Sequence, residues 1–134
     1  MSQENVEIVG RGYQHFGITR DFRADVMGPD FVWDMSTFRG WPEQQTYHGL
    51  EGARKFIADW TESWQDWELE VVELIDAGED RVLAILHQRG RSKTTSLEVE
   101  MDFAQLWTVR DGKQVRMEMY ADPAAGRAAA GLDR

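Results

Sequence analysis

The stretch Leu50–Val71, LEGARKFIADWTESWQDWELEV, changes its hydrophobic period part-way along. Leu50, Ala53, Ile57, Trp60 and Trp64 recur at helical intervals and mark one apolar stripe of a helix over about 49–64. From Trp67 the period is two. Trp67, Leu69 and Val71 alternate with glutamates, as in a strand with one exposed face. A chain that switches once from helical to strand periodicity builds an α+β domain, with its helices covering one face of a sheet.

Working outward, Val6, Val9, Tyr13 and Phe16 predict an amphipathic helix over 3–16, ended by Gly17, and Thr19 caps a short second helix over 20–27 that Gly28-Pro29 stops. Phe31–Ser36 reads as a strand and Thr37–Tyr47 as a loop. After Trp67, a turn at Ala77–Asp80 leads to strands over Arg81–Arg89 and Leu97–Val109. Asp111-Gly112 is a strong hairpin signal, and Val115–Tyr120 is the return strand. Asp122-Pro123 is an N-cap followed by proline at the first helical position, opening a tail helix to about residue 130. With 134 residues and 42% apolar content, the chain is expected to form one domain that buries roughly two-thirds of its unfolded surface.

The net charge of −9 is unevenly spread. Residues 1–80 hold 17 acidic and 6 basic side chains, and residues 81–134 hold 7 and 9. Without a basic footprint to neutralise phosphates, neither nucleic acid nor an anionic membrane is an expected partner; the Arg89–Lys93 run reads as a solvated turn. No apolar run reaches the roughly 18 residues of a membrane span, and the polar, acidic N-terminus fits no secretory or transit signal. The absence of cysteine removes disulfides and thiolate metal sites, compatible with a cytoplasmic location. No His, Asp and Glu group has metal-ligand spacing, no Gly-x-Ser-x-Gly occurs, and Gly10-Arg11-Gly12 lies inside a helix. No metal or cofactor is expected.

Phe31-Val32-Trp33-Asp34, the run Tyr47–Ala53 at the third helix, Phe103–Lys113 in the hairpin, and the ending Tyr120–Pro123 with Ala129–Leu132 carry a resemblance covering nearly the whole chain. In that order they resemble the nuclear transport factor 2-like superfamily, within it the SnoaL-like polyketide cyclase and ketosteroid isomerase branch. The resemblance implies a cone-shaped (cystatin-like) α+β roll: helices packed into the concave face of a bent, mainly antiparallel sheet, with an apolar pocket open at one end. It also implies a homodimer formed through the outer sheet face.

Strand parity separates Ala84, Leu86, Gln88, Asp102, Ala104, Leu106, Met117 and Met119 from Leu83, Ile85, His87, Phe103, Gln105, Trp107, Arg116, Glu118 and Tyr120. Period alone does not say which set lines the pocket. Laid against the isomerase pattern, the first set faces inward, and Leu83, Ile85 and Trp107 face a partner subunit. Asp34 and Asp102 are then the carboxylates expected in an apolar cavity, where desolvation raises a pKa toward the range of proton transfer. The resemblance sets Tyr13 at the position of an oxyanion-donating tyrosine. The family's basic aspartate falls at Asp34 or one residue later, at Met35. Its second oxyanion donor falls at Ala104 or Phe103. His48, at the start of the third helix, is a candidate at the pocket mouth. Trp33, Trp41 and Trp60 are candidates for an aromatic wall that, with Leu86, Met117 and Met119, binds substrate. The resulting expectation is a cofactor-free general acid–base enzyme of isomerase, cyclase or lyase type acting on a small hydrophobic carbonyl compound. The alternative is a non-catalytic dimeric module that binds a small molecule or another domain.

Overall fold

A computed structural model describes residues 2–38 and 45–132. The order is α1 (Ser2–Thr19), a 3-10 turn (Ala24–Val26), β1 (Met27–Asp34), β2 (Thr46–His48), α2 (Gly49–Thr61), β3 (Trp64–Gly78), β4 (Arg81–Ser92), β5 (Glu98–Arg110), β6 (Lys113–Tyr120) and α3 (Pro123–Ala129). One mixed sheet has the strand order β2-β1-β6-β5-β4-β3, all neighbours antiparallel except the parallel pair β1 and β6. Helices packed on this sheet give the nuclear transport factor 2-like α+β architecture.

Local chemistry accounts for most boundaries. Asp111 and Gly112 both have positive φ, the backbone of a tight hairpin turn. The Asp122 carboxylate accepts from the Ala125 N–H at 2.8 Å and caps α3 ahead of Pro123. Several boundaries differ from expectation: α2 ends at Thr61, so Trp64 opens β3 instead of closing the helix, and Thr46–His48 is a strand where the end of a loop was expected. Helix α1 runs through Gly17 and stops where Arg20 takes a left-handed conformation with its N–H on the Phe16 carbonyl; tertiary packing of Phe16 outweighs the low propensity of glycine. The segment 20–27 holds only a single 3-10 turn, because Met27 already pairs with Gln114 of β6. Gly28-Pro29 falls in the irregular part of that ladder, where proline's missing N–H is tolerated.

Two apolar clusters lie on opposite sheet faces. The inner core joins Val9 of α1 and Ala53, Phe56 and Trp60 of α2 to Phe31, Trp33, Val82, Ala84, Leu86, Phe103, Trp107, Met117 and Met119. The outer cluster of Leu83, Ile85, Ala104, Leu106 and Ala130 lies beneath α3. Even-numbered β4 residues therefore lie opposite odd-numbered β5 residues: Ala84 opposite Gln105, Leu86 opposite Phe103, Val82 opposite Trp107. This corrects the parity expected for β5. Asp102, Ala104 and Leu106 face outward, whereas Phe103, Gln105 and Trp107 face inward. Of the residues expected to meet a partner, Trp107 lies in the inner core, and Leu83 and Ile85 belong to the outer cluster.

Two glycines test this packing. A Cβ at Gly126 would sit 2.5 Å from the Ala104 Cβ, so α3 approaches β5 only through glycine; one at Gly17 meets nothing within 4 Å. Gly126→Val is expected to lower stability in urea unfolding by about 1–3 kcal/mol through overpacking. Gly17→Ala is expected to raise it by about 0.5–1 kcal/mol.

Candidate functional site

The concave face of the sheet and the helices α1 and α2 border a small, partly open hollow of about 40 Å³. Val9, Tyr13 and Phe16 enter it from α1, Ile57 from α2, Leu69 from β3, Trp33 from β1, Gln105 and Trp107 from β5, and Gln114 from β6; Phe22 and Arg23 close one side. Aromatic edges and faces make up most of the wall. Trp33 meets Trp107 edge-on with centroids 6.0 Å apart, and Phe22 meets Trp33 at 5.6 Å.

A hydrogen-bond relay crosses the hollow. The Trp107 indole N–H donates to the Tyr13 hydroxyl at 2.8 Å; that hydroxyl donates to Gln105 Oε1, and Gln105 Nε2 rests on the Met119 sulfur at 3.7 Å. Burial pushes the Tyr13 phenol well above its ordinary range, the Trp107 hydrogen bond opposing this only in part, so the hydroxyl keeps its proton. Nearby, Gln88 Oε1 accepts from both the Trp60 and the Trp67 indoles, at 2.8 and 2.7 Å. One indole is different. Trp33, 2% exposed, has its Nε1–H buried with no hydrogen-bond partner.

Of the expected site residues, Tyr13 and Trp33 do meet in this hollow. Trp60, Leu86, Met117 and Met119 are on the inner side, but they are packed as core rather than exposed on the hollow wall. Trp41 lies outside the described residues.

The two carboxylates stand elsewhere, for a register reason. Trp33 pairs with Met117 and faces in, so its neighbour Asp34 faces out beside Glu118; the following Met35 is fully buried. Asp34 is buried on that outer face, ion-paired with Arg116 and accepting the Ser36 N–H at 2.8 Å. Arg116 Nε also donates to Glu118 at 3.1 Å, and the Tyr120 hydroxyl donates to the other Glu118 oxygen at 2.7 Å. Desolvation, reinforced by the negative charge of Glu118 and Asp34, raises the Tyr120 phenol. Asp102 is an exposed outer-face residue paired with His87. His48 is exposed on the outer side of β2, in the row of Val32 and Arg116. Among the described residues, the hollow is lined by neither a carboxylate nor an imidazole. No described group of three or more His, Asp and Glu is arranged to hold a metal ion, and no described helix is long and apolar enough to cross a membrane.

Residues missed from sequence are Phe22, Leu69, Gln105, Trp107 and Gln114. A signal for the β5 pair was present: Arg91 opposite Glu98, Arg89 opposite Glu100 and His87 opposite Asp102 form three successive opposite-charge pairs. That ladder fixes the register and turns Gln105 and Trp107 inward.

The same ladder generates a pH dependence. His87 donates through Nδ1 to Asp102 at 2.6 Å and through Nε2 to Glu100 at 2.9 Å, which requires the imidazolium; the Asp102 bond first, then Glu100, raise its pKa above 6.5. A raised folded-state value gives stability that is fully present below about pH 6.5 and lost as pH rises through the folded-state pKa. Urea unfolding of the wild type should show this decline as pH rises from about 6.5, and His87→Gln should flatten it.

A family model described as the SnoaL-like domain matches residues 19–117. No curated protein matches the chain. Among solved structures, TerC, co-crystallised with polyporic acid, is 25% identical, with a TM-score of 0.71 over 96% of this chain and 98% of its own. A Jannaschia protein provisionally named a SnoaL-like polyketide cyclase is 22% identical, with a TM-score of 0.72 over 98% and 92%. A nuclear transport factor 2-like protein of Burkholderia thailandensis is 22% identical, with a TM-score of 0.73 over 97% of both chains.

Proposed function

Since the chain belongs to the SnoaL-like domain family, we propose that it binds a small, neutral, flat aromatic or polycyclic carbonyl compound in the hollow beside Trp33. The observation that carries this proposal is the buried Trp33 N–H. A donor desolvated without a partner costs about 1–3 kcal/mol; Trp33 is a wall residue of the hollow, and a carbonyl oxygen brought against the edge of its indole would satisfy that donor. The surrounding wall selects against charge: Arg23 is the one ionised side chain among the described lining residues, and a bound cation would be desolvated among aromatic rings, Leu69 and Ile57 with no described carboxylate to pair it. The polar groups within the hollow are the neutral ones of Tyr13, Gln105 and Gln114; Arg23, at the edge, is already paired with Asp25 at 2.6 Å. TerC, which was co-crystallised with polyporic acid, supports small-molecule binding as a role of this architecture.

Binding is favoured over general acid–base catalysis on one specific ground. A base must reach the bound molecule within hydrogen-bonding distance, and Asp34, Asp102 and His48 are all on the outer side of the sheet. Tyr13 is a neutral phenol whose proton is engaged by Gln105, so its role is to orient the wall.

Fluorescence titration with prodan, a neutral naphthyl ketone, tests the assignment. Trp33→Phe should weaken binding by up to about tenfold, the range of one hydrogen bond, and lower stability by about 1–3 kcal/mol, because the indole volume lost from the core outweighs removal of the unsatisfied donor. Asp34→Ala should separate the two effects. Folding stability should fall by about 1–3 kcal/mol, below the cost of breaking a fully buried pair because Arg116 is 40% exposed, with prodan affinity unchanged. Equal prodan affinity in wild type and Trp33→Phe would remove the indole from the site.

A further inference from the structure

A void of about 40 Å³ holds a few water molecules at most, whereas apolar cavities of roughly 150 Å³ are needed to take up even benzene. If the hollow binds the carbonyl compound proposed above, part of its wall must move. Most of the wall is fixed by regular hydrogen bonding: Val9, Tyr13 and Phe16 on α1, Ile57 on α2, and Leu69, Trp33, Gln105, Trp107 and Gln114 on paired strands. Phe22 and Arg23 are the described wall residues that stand on neither a helix nor a strand.

We infer that Phe22 is a displaceable plug of the hollow and that the Asp21–Arg54 ion pair latches the segment carrying it. The Phe22 ring is only half-buried and leans on Phe16 and Trp33, each at 5.6 Å between centroids. Its segment begins at Arg20, a non-glycine residue with φ of 60°, a conformation that carries strain for an L residue. Side chains hold the segment in place of a ladder. Arg54 of α2 grips Asp21 with two parallel hydrogen bonds of 2.8 and 3.0 Å, and the same carboxylate accepts the Phe22 N–H at 2.8 Å. Arg20 lies 5.1 Å over the Trp67 ring and donates to the Trp67 carbonyl at 3.2 Å. The ion pair is exposed at both ends and can break into water, so opening exchanges protein contacts for solvent without uncovering a buried charge. Rotating Phe22 outward would enlarge the hollow on the side of Trp33, whose ring Phe22 now covers. Phe22 would thereby set the size of molecule admitted.

Stopped-flow mixing of the full chain with prodan tests the plug separately from the site. In the wild type the observed rate should level off with increasing prodan, limited by opening of the segment. Arg54→Gln should raise that plateau about two- to fivefold, the range to which an exposed ion pair converts. Phe22→Ala should abolish the plateau and bind prodan at least as tightly. A wild-type rate that rises without limit, or an identical plateau in Arg54→Gln, would overturn the plug and leave hollow binding intact. Prodan bound by none of the three proteins would overturn both.

Discussion

The hydrogen-bonded register between β4 and β5 is the constraint on which the rest of the molecule depends. It sets Leu86 against Phe103 and Val82 against Trp107, so bulky apolar residues from both strands meet on one side of the sheet. On the other side the same register leaves Leu83, Ala104 and Leu106 as a smaller surface that α3 covers through Gly126. A slip of one residue in β5 would carry Trp107 outward and Asp102 into the core. The charged pairs His87–Asp102 and Arg89 opposite Glu100 oppose such a slip, because it would leave carboxylates without their cations. Charge on the exposed end of the hairpin thus specifies packing at the buried end.

Polar groups inside the core follow an economy that makes Trp33 conspicuous. Gln88 serves two indoles at once, and Tyr13 both accepts from Trp107 and donates to Gln105, so three tryptophan N–H groups are satisfied within a few residues of one another. Burial of so many indoles is tolerable only because these acceptors sit on the same face. Trp33 has the rings of Phe56, Phe22 and Trp107 around it and no acceptor. Its ring forms part of the wall of the hollow. The outer-face carboxylate Asp34 has the opposite character: buried, but fully engaged by Arg116 and the Ser36 N–H, it is a structural tie between β1 and β6.

Much of the architecture was legible in the chain. The change of period around Trp64–Trp67, the Asp111-Gly112 turn and the Asp122-Pro123 cap identify the elements, because local backbone preference and side-chain alternation act over a few residues. Family resemblance supplied the layering, and the family match bears it out. The candidate site was legible only in part. Tyr13 and Trp33 were singled out and do meet; Asp34 and Asp102 were singled out and do not, since alternation says that neighbours face opposite ways without saying which way either faces. Phe22 carried no periodic signal at all, because the segment 20–23 is neither helix nor strand.

By itself the sequence determined the helical and extended segments, the turns between strands and the acidic surface, all of which are properties of residues near one another along the chain. Only the tertiary structure decided which face of each strand looks inward, how little space is left beside Trp33, and that the buried acid lies across the sheet from that space. Those outcomes depend on registers between strands far apart in sequence and on the summed volume of side chains from six strands and two helices. No single segment encodes either quantity.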